Sequence, residues 1–240
     1  MKIRELSQWK EWVKMRILAV DTSAVCASVA VTEDGKILSE SSINTGLTHS
    51  RTLMPMIDSV LKNGEISLDS IDLFACSVGP GSFTGIRIGV AAIKGLCDAL
   101  CKKCVPVSTL EALAYNLVGR SCTAVSVMDA RCNQVYCGIF DINGETVTRL
   151  TEDMAIKVED LGEMLKNYDN IIFVGDGAKL CHKALGYVKA PASCEYQKGS
   201  SVCFTAAMYT HKAVPSKELL PVYLRLPQAE RELKAKQKQL

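Results

Sequence analysis

The feature that most constrains this fold is a glycine-rich turn joining a buried strand to a buried helix. An apolar run at residues 71–78 predicts the strand, and a second apolar run at 86–101 predicts the helix. Between them stands Gly79-Pro80-Gly81-Ser82-Phe83-Thr84-Gly85. Such a turn starts an α/β unit, and it lets backbone N–H groups and the positive end of the helix dipole face one point. The turn therefore predicts an anion site or the remnant of one.

The composition indicates a globular protein with room for one large domain or two small lobes. The chain has 240 residues, of which 48% are hydrophobic, and a formal net charge of +2. This charge is too small to attract nucleic acid over the whole surface, so any RNA contact needs a local basic patch or a partner. No apolar run approaches the ~20 residues of a membrane span, and the first basic residues are not followed by the apolar segment of a signal peptide. We therefore expect no membrane contact.

The cysteines indicate a reducing compartment. There are eleven of them, an odd number, and most stand inside apolar runs. Buried, reduced thiols are typical of cytosolic proteins, whereas a complete disulfide framework needs an even number, so we expect a cytoplasmic protein. The spacing of Cys97, Cys101 and Cys104 matches one iron–sulfur pattern, but these residues also continue the apolar stripe of the preceding helix, which is the favoured interpretation.

Both halves of the chain open with the same pattern. In each half, three strands are joined by tight turns, the first strand ends in an aspartate (Asp21 or Asp129), and helices then alternate with strands. This duplication predicts an α/β fold of two lobes, each a mixed sheet flanked by helices, with a cleft between them. The predicted boundaries are an N-terminal extension at 1–14, an N-terminal lobe at 15–120, a C-terminal lobe at 121–227 and a polar tail at 228–240.

The two ends of the chain are open to more than one interpretation. Leu6, Trp9, Trp12 and Val13 could line one face of a docking helix, or the first residues could be a poorly ordered extension. The polar tail resembles a solvated helix, although its lysines could touch RNA.

The helix predicted at 86–101 is apolar almost all round. Its charged residues form one narrow stripe: Arg87, Lys94 and Asp98. Its small residues form a ridge that permits close approach of another helix: Ala91, Gly95 and Ala99. A sheet would cover one side, and the helix predicted at 48–63 would cover another. The remaining surface predicts a partner chain, although burial within the lobe would also satisfy the pattern.

Three turns carry residue types suited to phosphate. Asp21-Thr22-Ser23 offers a carboxylate and two hydroxyls, which can hold a metal-bound phosphate or close a hairpin. Gly79, Gly81 and Ser82 stand in the glycine turn, and Asp129 is the counterpart of Asp21 without a neighbouring glycine. The glycine turn lacks the lysine of a P-loop, and Thr84 replaces the third glycine of a dinucleotide fingerprint. These turns therefore predict a vestigial site.

Metal and triad chemistry have little support in the sequence. The histidines, His49, His182 and His211, are scattered and have no metal-ligand spacing. Ser82 does not stand in the G-x-S-x-G elbow of a hydrolase. We expect neither a zinc site nor a catalytic triad.

Several segments together resemble the TsaB (YeaZ) family. The resemblance rests on their combination and spans residues 15 to about 230. The matching segments are Met15-Arg16-Ile17-Leu18-Ala19-Val20-Asp21-Thr22-Ser23, Thr48-His49-Ser50-Arg51, Gly79-Pro80-Gly81-Ser82-Phe83-Thr84-Gly85-Ile86-Arg87, Met128-Asp129-Ala130-Arg131, Val174-Gly175-Asp176-Gly177-Ala178 and Pro221-Val222-Tyr223-Leu224-Arg225.

The resemblance implies a fold and a pathway. The fold is that of actin-like ATPases, Hsp70 and sugar kinases, which is ribonuclease H-like. TsaB-like proteins help to make threonylcarbamoyladenosine beside the anticodon of tRNAs that read codons beginning with A. Their catalytic relative TsaD transfers the threonylcarbamoyl group to the tRNA, and the ATPase TsaE joins the complex.

One departure from TsaD implies that this chain is not the catalyst. TsaD holds a metal with an H-x-x-x-H pair, whose places fall here on Thr109 and Leu113. Neither side chain replaces an imidazole on a metal. The resemblance therefore implies a non-catalytic scaffolding and activating subunit, with ATP or ADP and the metal belonging to the partner complex and no cofactor in the isolated chain.

The implied partners are a TsaD-like subunit, a TsaE-like ATPase and, through the complex, tRNA. A homodimer is implied when the chain is alone. The two helices of the N-terminal lobe would form the contact, through His49, Leu53, Met56, Ile57, Val60, Arg87, Ala91, Lys94, Gly95 and Asp98.

Two other functions remain open from the sequence. A nucleotide-dependent transferase or kinase would use Asp21 and the turn at 79–82, and would bind ATP with magnesium. A metallopeptidase-like enzyme would need metal ligands that the sequence does not supply.

Overall fold

The computed structural model describes residues 15–225. The predicted N-terminal extension and polar tail lie outside these residues. Within them, no helix is long and apolar enough to span a bilayer.

The first sheet is built from the expected meander and two later strands. β1, β2 and β3 are antiparallel neighbours, whereas β4 and β5 are parallel to β1, in the order β3-β2-β1-β4-β5. The strands of this sheet are β1 (Arg16–Asp21), β2 (Ala27–Glu33), β3 (Lys36–Ile43), β4 (Leu73–Gly79) and β5 (Cys104–Ser108).

The second sheet repeats this arrangement. β6, β7 and β8 form the meander, and β10 and β11 run parallel to β6, in the order β11-β10-β6-β7-β8. A short strand that the sequence did not predict, β9, pairs with the start of β7. The strands are β6 (Arg120–Asp129), β7 (Gln134–Gly144), β8 (Thr146–Arg149), β9 (Met154–Lys157), β10 (Ile171–Val174) and β11 (Val188–Lys189). The two sheets confirm the predicted duplication and the mixed α/β class.

Helices cover both faces of each sheet because the central strands are apolar on both sides. Along β1, Leu18 and Val20 pack under α1 and α2, while Ile17 and Ala19 pack under α7. In the second lobe, α4 and α5 cover one face and α3 covers the other. The helices are α1 (His49–Asn63), α2 (Phe83–Leu100), α3 (Thr109–Tyr115), α4 (Val158–Leu165), α5 (Ala178–Leu185), α6 (Ala192–Glu195) and α7 (Gly199–Met208).

α2 begins earlier than the apolar run suggested. The Ser82 side chain caps the helix by accepting a hydrogen bond from the Gly85 N–H at 3.2 Å, so the first turn includes Phe83 and Thr84. The helix ends at Leu100, where Cys101 takes a left-handed conformation with φ 52°. Local capping, rather than hydrophobicity, therefore sets both ends.

The last described elements, residues 199–225, return to the first lobe, which corrects the predicted C-terminal lobe of 121–227. α7 packs on β1 and β2 through Val202 and Cys203. The segment after it, residues 216–225, is called the C-terminal strap below. The strap passes beside α2, donates from the Val222 N–H to the Val78 carbonyl at 2.8 Å, and reaches the second lobe, where Arg225 donates to the Ala130 carbonyl at 2.6 Å. The C-terminal lobe does not include α7, because this helix buries its apolar residues on the first sheet, which precedes it in the chain.

A charged network joins the lobes at a second place. Arg149 at the end of β8 donates to Glu111 of α3 at 2.8 Å and to Asp153 at 2.5 Å. Tyr209, just after α7, donates to the other Glu111 oxygen at 2.6 Å, and Ser108 at the end of β5 donates to Asp153 at 2.6 Å. Elements of both sheets are therefore tied together by one set of hydrogen bonds.

Candidate functional site

The turn after β1 is closed by its own hydrogen bonds. Asp21 is 1% exposed; one carboxylate oxygen accepts from the Ser23 N–H at 2.9 Å and its hydroxyl at 2.6 Å, and the other accepts from the Ser77 hydroxyl at 2.6 Å. Burial raises the pKa of Asp21, and the hydrogen bonds from Ser23 and Ser77 oppose that rise. The Thr22 hydroxyl donates to the Gly85 carbonyl at 2.8 Å. The aspartate thus holds its own loop rather than facing an open site.

The glycine turn packs directly against this loop. The Ser82 N–H donates to the Ser23 carbonyl at 2.6 Å. A Cβ at Gly81 would overlap the Ser23 carbonyl oxygen, and a Cβ at Gly85 would overlap the Thr22 carbonyl oxygen. These two glycines are therefore explained by the close approach of two backbone segments. Two N–H groups of the turn, on Ser82 and Gly85, already have internal partners, which leaves them unavailable to a bound anion.

The counterpart loop in the second lobe has a different geometry. The Asp129 carboxylate accepts from the Arg131 N–H at 2.7 Å, and three successive residues, Arg131, Cys132 and Asn133, have φ between 54° and 66°. The Asp129 N–H donates to Asp176 at 3.3 Å, and burial raises the pKa of Asp176 to about 6. This loop carries an arginine where a phosphate loop would carry a glycine, as the sequence indicated.

The glycine turn and the Asp129 loop line a cleft of about 900 Å³ between the lobes. The α2 end of the cleft is formed by the glycine turn, the far side by the Asp129 loop, and the rim by the strap residues Val222 to Arg225. His49 at the start of α1 also lines it and donates from Nε2 to the Ala24 carbonyl at 2.6 Å. The cleft is large enough for a small molecule, and it contains carboxylates, guanidinium groups and aromatic rings.

The structure offers no metal centre within residues 15–225. No group of three histidine, cysteine or acidic side chains converges there. Thr109 and Leu113 are 0% and 1% exposed, and Leu113 belongs to the core between α3 and the second sheet. The two places at which a metal pair was considered are therefore core positions.

The predicted partner surface needs a correction. Leu53, Met56, Ile57 and Val60 are at most 3% exposed, because they are the face of α1 that packs on the first sheet. They cannot touch a partner without unfolding the lobe. The sequence identified the apolar face of α1 but could not say which side of the lobe would cover it.

α2 has one buried face and one exposed face. Ile86, Val90, Ile93 and Cys97 face the core. The ridge of Ala91, Gly95 and Ala99 is exposed, and a Cβ added at Gly95 would meet no atom within 4 Å. The neighbouring helix α1 adds Met54, which is 50% exposed. The exposed apolar surface is therefore narrower than predicted and consists of small residues.

The three charged residues of α2 bind the strap, a role that sequence reasoning missed. Arg87 Nε donates to the Tyr223 hydroxyl at 2.8 Å, and Lys94 donates to the Lys217 carbonyl at 3.4 Å. The Asp98 carboxylate accepts from the Ser216 hydroxyl. The regular spacing of the charged residues on an otherwise apolar helix indicated that they have a shared role. It did not identify the strap as the segment that they bind.

Comparison with known proteins finds similarity along almost the whole chain. The family model described as "TsaD: tRNA N6-adenosine threonylcarbamoyltransferase" matches residues 37–231. The tRNA threonylcarbamoyladenosine biosynthesis protein TsaB of Bacillus subtilis (strain 168) is 30% identical over 227 residues, covering 90% of this chain and 96% of that protein. The protein of the same name from Escherichia coli (strain K12) is 34% identical over 124 residues, covering 51% of this chain and 53% of that protein.

Solved structures show the same fold. YeaZ from Pseudomonas aeruginosa superposes with a TM-score of 0.74 at 24% identity, covering 88% of this chain and all (100%) of that chain. A second structure, described as an uncharacterized protein with similarity to peptidase YEAZ from Pseudomonas aeruginosa, gives a TM-score of 0.73 at 25% identity over 88% of this chain and 100% of that chain.

Proposed function

The chain belongs to the TsaB (YeaZ) family of tRNA threonylcarbamoyladenosine biosynthesis proteins, and from this membership we propose that it is a non-catalytic subunit that supports a TsaD-like threonylcarbamoyltransferase. It takes part in the modification of tRNA, and its contribution is a docking surface rather than a reaction centre. The observation that carries this proposal is the exposed ridge of small residues on α2.

The ridge is suited to another helix. Ala91, Gly95 and Ala99 expose little side chain, so a second helix can approach α2 closely and make many van der Waals contacts. No internal contact requires a glycine at position 95, since the space beyond it is open. A glycine in the interior of an exposed helix costs stability, which favours a role in contact with another chain.

The interior supports a structural role. The polar groups of the Asp21 loop are hydrogen-bonded within the protein, in part to the glycine turn. Residues 15–225 hold no metal-ligand cluster. The strap and the Arg149 network tie the two lobes at two places. Enzymes that close a cleft over a substrate need lobes that move, whereas a scaffold gains from a fixed shape.

We infer the same set of partners that the family implies. A TsaD-like subunit would cover α1 and α2, a second copy of this chain would cover them when that subunit is absent, and a TsaE-like ATPase and tRNA would join through the complex. Nucleotide and metal would be held by those partners. All eleven cysteines are unbridged, which supports a cytoplasmic location.

Gly95→Leu tests the docking surface. The leucine fits the free monomer because the space at position 95 is open, but it would hold a facing helix away. We expect affinity for the TsaD-like protein of the same organism to fall at least tenfold in calorimetry, with an unchanged or slightly raised melting temperature.

The matched control is Ala184→Leu, which adds the same side chain to an exposed helical position of the second lobe. It should leave the affinity unchanged. Normal pairing by Gly95→Leu would refute the proposed surface, and full transferase activity of the chain without any partner would refute the non-catalytic role.

A second candidate function is a nucleotide-dependent transferase, which the cleft of about 900 Å³ favours. It would bind ATP and magnesium beside the glycine turn. Saturable heat with ATP and magnesium on the isolated chain would support it, and the absence of heat would dismiss it. A metallopeptidase-like enzyme, the third possibility, would require stoichiometric zinc or iron in metal analysis of the purified protein.

A further inference from the structure

The C-terminal strap consists of two halves that are held in different ways. In the inner half, Ser216 and Leu219 are buried, and the Ser216 hydroxyl donates to Asp98 of α2. In the outer half, residues 220–225, every side chain is at least partly exposed. Because segments with few buried apolar contacts open most easily, the inner half is an anchor and the outer half is the part that can move.

Within the described part of the chain, three hydrogen bonds hold the outer half, each to a different element. From donor to acceptor, they join the Val222 N–H to the Val78 carbonyl at 2.8 Å, the Arg87 Nε to the Tyr223 hydroxyl at 2.8 Å, and the Arg225 Nη1 to the Ala130 carbonyl at 2.6 Å. Val78 and Arg87 belong to the first lobe, and Ala130 belongs to the second. The outer half therefore bridges the two lobes.

The outer half also forms one side of the mouth of the cleft. Its residues 222–225 all line the cleft. Large apolar side chains that are exposed gather around this mouth: of the eleven within residues 15–225, five line the cleft, namely Val25, Leu47, Tyr196, Val222 and Tyr223. Exposed apolar side chains that gather at one groove are typical of a binding site, whereas single scattered ones are ordinary surface. The outer half thus stands at the entrance of the one large cleft found within residues 15–225.

We propose that the outer half of the strap is a lid, which opens the cleft by pivoting at Leu219. In the open position the three hydrogen bonds are broken together, while the inner half stays on α2. The Arg149 network does not include the strap, so the lobes remain joined when the lid opens. Such a segment controls when a molecule can enter or leave the cleft. This inference does not depend on the docking role of the ridge.

Hydrogen exchange of the native protein tests whether the lid opens locally. Val214, just before the strap, gives a matched amide because its N–H donates to the Cys104 carbonyl, also at 2.8 Å. After correction for intrinsic rates, we expect the Val222 amide to exchange at least about 100-fold faster than the Val214 amide. Its rate should not change at low urea, because a local opening exposes little surface. Equal protection of the two amides, or a Val222 rate that rises with urea as steeply as the amides of β1, would overturn the proposal.

A frayed chain end would also exchange fast, so a second experiment changes one side of the lid and observes the other. Arg225→Gln removes the bond to the second lobe and should speed exchange at Val222 by about threefold or more. Arg87→Gln removes the bond to α2 and should speed N-ethylmaleimide labelling of Ala130→Cys in the second lobe by a similar factor, because Ala130 is 6% exposed beneath Arg225. The tryptic peptide 121–131 also contains the buried Cys122, whose labelling reports global unfolding.

The matched control is Arg51→Gln, which removes an exposed arginine of α1 and should change neither rate. Labelling at position 130 that does not respond to Arg87→Gln would show that the segment frays from its end, and the lid would be refuted. Labelling of Cys122 together with position 130 would show global unfolding, with the same consequence. If Ala130→Cys folds poorly, the Arg225→Gln measurement decides, since an unchanged rate at Val222 would overturn the proposal.

Discussion

Arg87 and Tyr223, 136 residues apart in the chain, hold each other on the surface of α2. The Arg87 Nε donates to the Tyr223 hydroxyl at 2.8 Å, and the guanidinium carbon lies 3.8 Å from the centroid of the Phe83 ring. The Phe83 and Tyr223 rings are themselves 4.6 Å apart. This stack joins the first turn of α2 to the strap, which continues to the second lobe.

Tyr223→Phe tests this link. Removal of one hydroxyl should reduce the free energy of unfolding by about 1 kcal/mol or less, because the bond is exposed. The sharper expectation is faster hydrogen exchange at the Val222 amide, which is bonded to Val78 in the same segment. Tyr196→Phe is the control, since its hydroxyl makes no hydrogen bond to residues 15–225. Unchanged exchange at Val222 would show that the stack does not hold the strap.

Gly85 and Gly95 make a matched pair in one helix. Gly85→Ala should lower the free energy of unfolding by roughly 2 kcal/mol or more, because the new Cβ overlaps the Thr22 carbonyl and the two loops must separate. Gly95→Ala should raise it by about 0.5–1 kcal/mol, because the site is open and alanine is the better helix former. Urea unfolding of both variants measures the difference, and effects of the same sign would contradict the close-approach explanation of Gly85.

Arg149→Met tests the network that joins the lobes. The substitution keeps most of the aliphatic length but leaves the Glu111 and Asp153 carboxylates, 11% and 17% exposed as side chains, without their cation. We expect a loss of about 2–4 kcal/mol in the free energy of unfolding.

The control for this network is Lys62→Met, which breaks the exposed pair of Lys62 with Asp58. Such surface pairs contribute about 0–1 kcal/mol. If the two variants lose equal stability, the Arg149 network is no more important than an ordinary surface pair.

Asp176 makes the free energy of unfolding depend on pH, in a direction that its raised pKa defines. Burial raises its folded-state pKa from 3.8 to about 6, so the folded protein holds a proton that the unfolded chain has released between these values. The free energy of unfolding therefore falls as the pH rises through this window, and the full penalty is present above pH 6. Asp176→Asn should be more stable than the wild type by about 3 kcal/mol at pH 7.5 and equal to it below about pH 4. A stability difference that does not change with pH would contradict this account.

Local chemistry made much of the fold predictable. The continuous apolar run of β1, the turns of both meanders and the aspartates at the ends of β1 and β6 were all readable from the sequence. The order of the three strands within each meander followed, because consecutive short turns leave few ways to pair three strands. The short strand β9 was missed because four residues carry little periodicity.

The partner surface shows where such reasoning stops. Periodicity correctly grouped Leu53, Met56, Ile57 and Val60 as one face of α1, but the core and an interface need the same residue types. Which of these apolar residues are exposed could be decided only from the folded lobe. The exposed ones are the ridge of α2 and Met54.

The sequence by itself determined the repeated α/β pattern, the positions of the turns at Asp21 and Gly79 and the membership of a family, because each depends on residues that are neighbours in the chain. The tertiary structure decided which face of α1 is buried, what fills the turn at Asp21, and that Arg87, Lys94 and Asp98 bind the strap. Most of those outcomes depend on contacts between segments separated by more than fifty residues, as from Asp21 to Ser77 or from Asp98 to Ser216. No local pattern encodes which of two distant polar groups will meet when the apolar core closes.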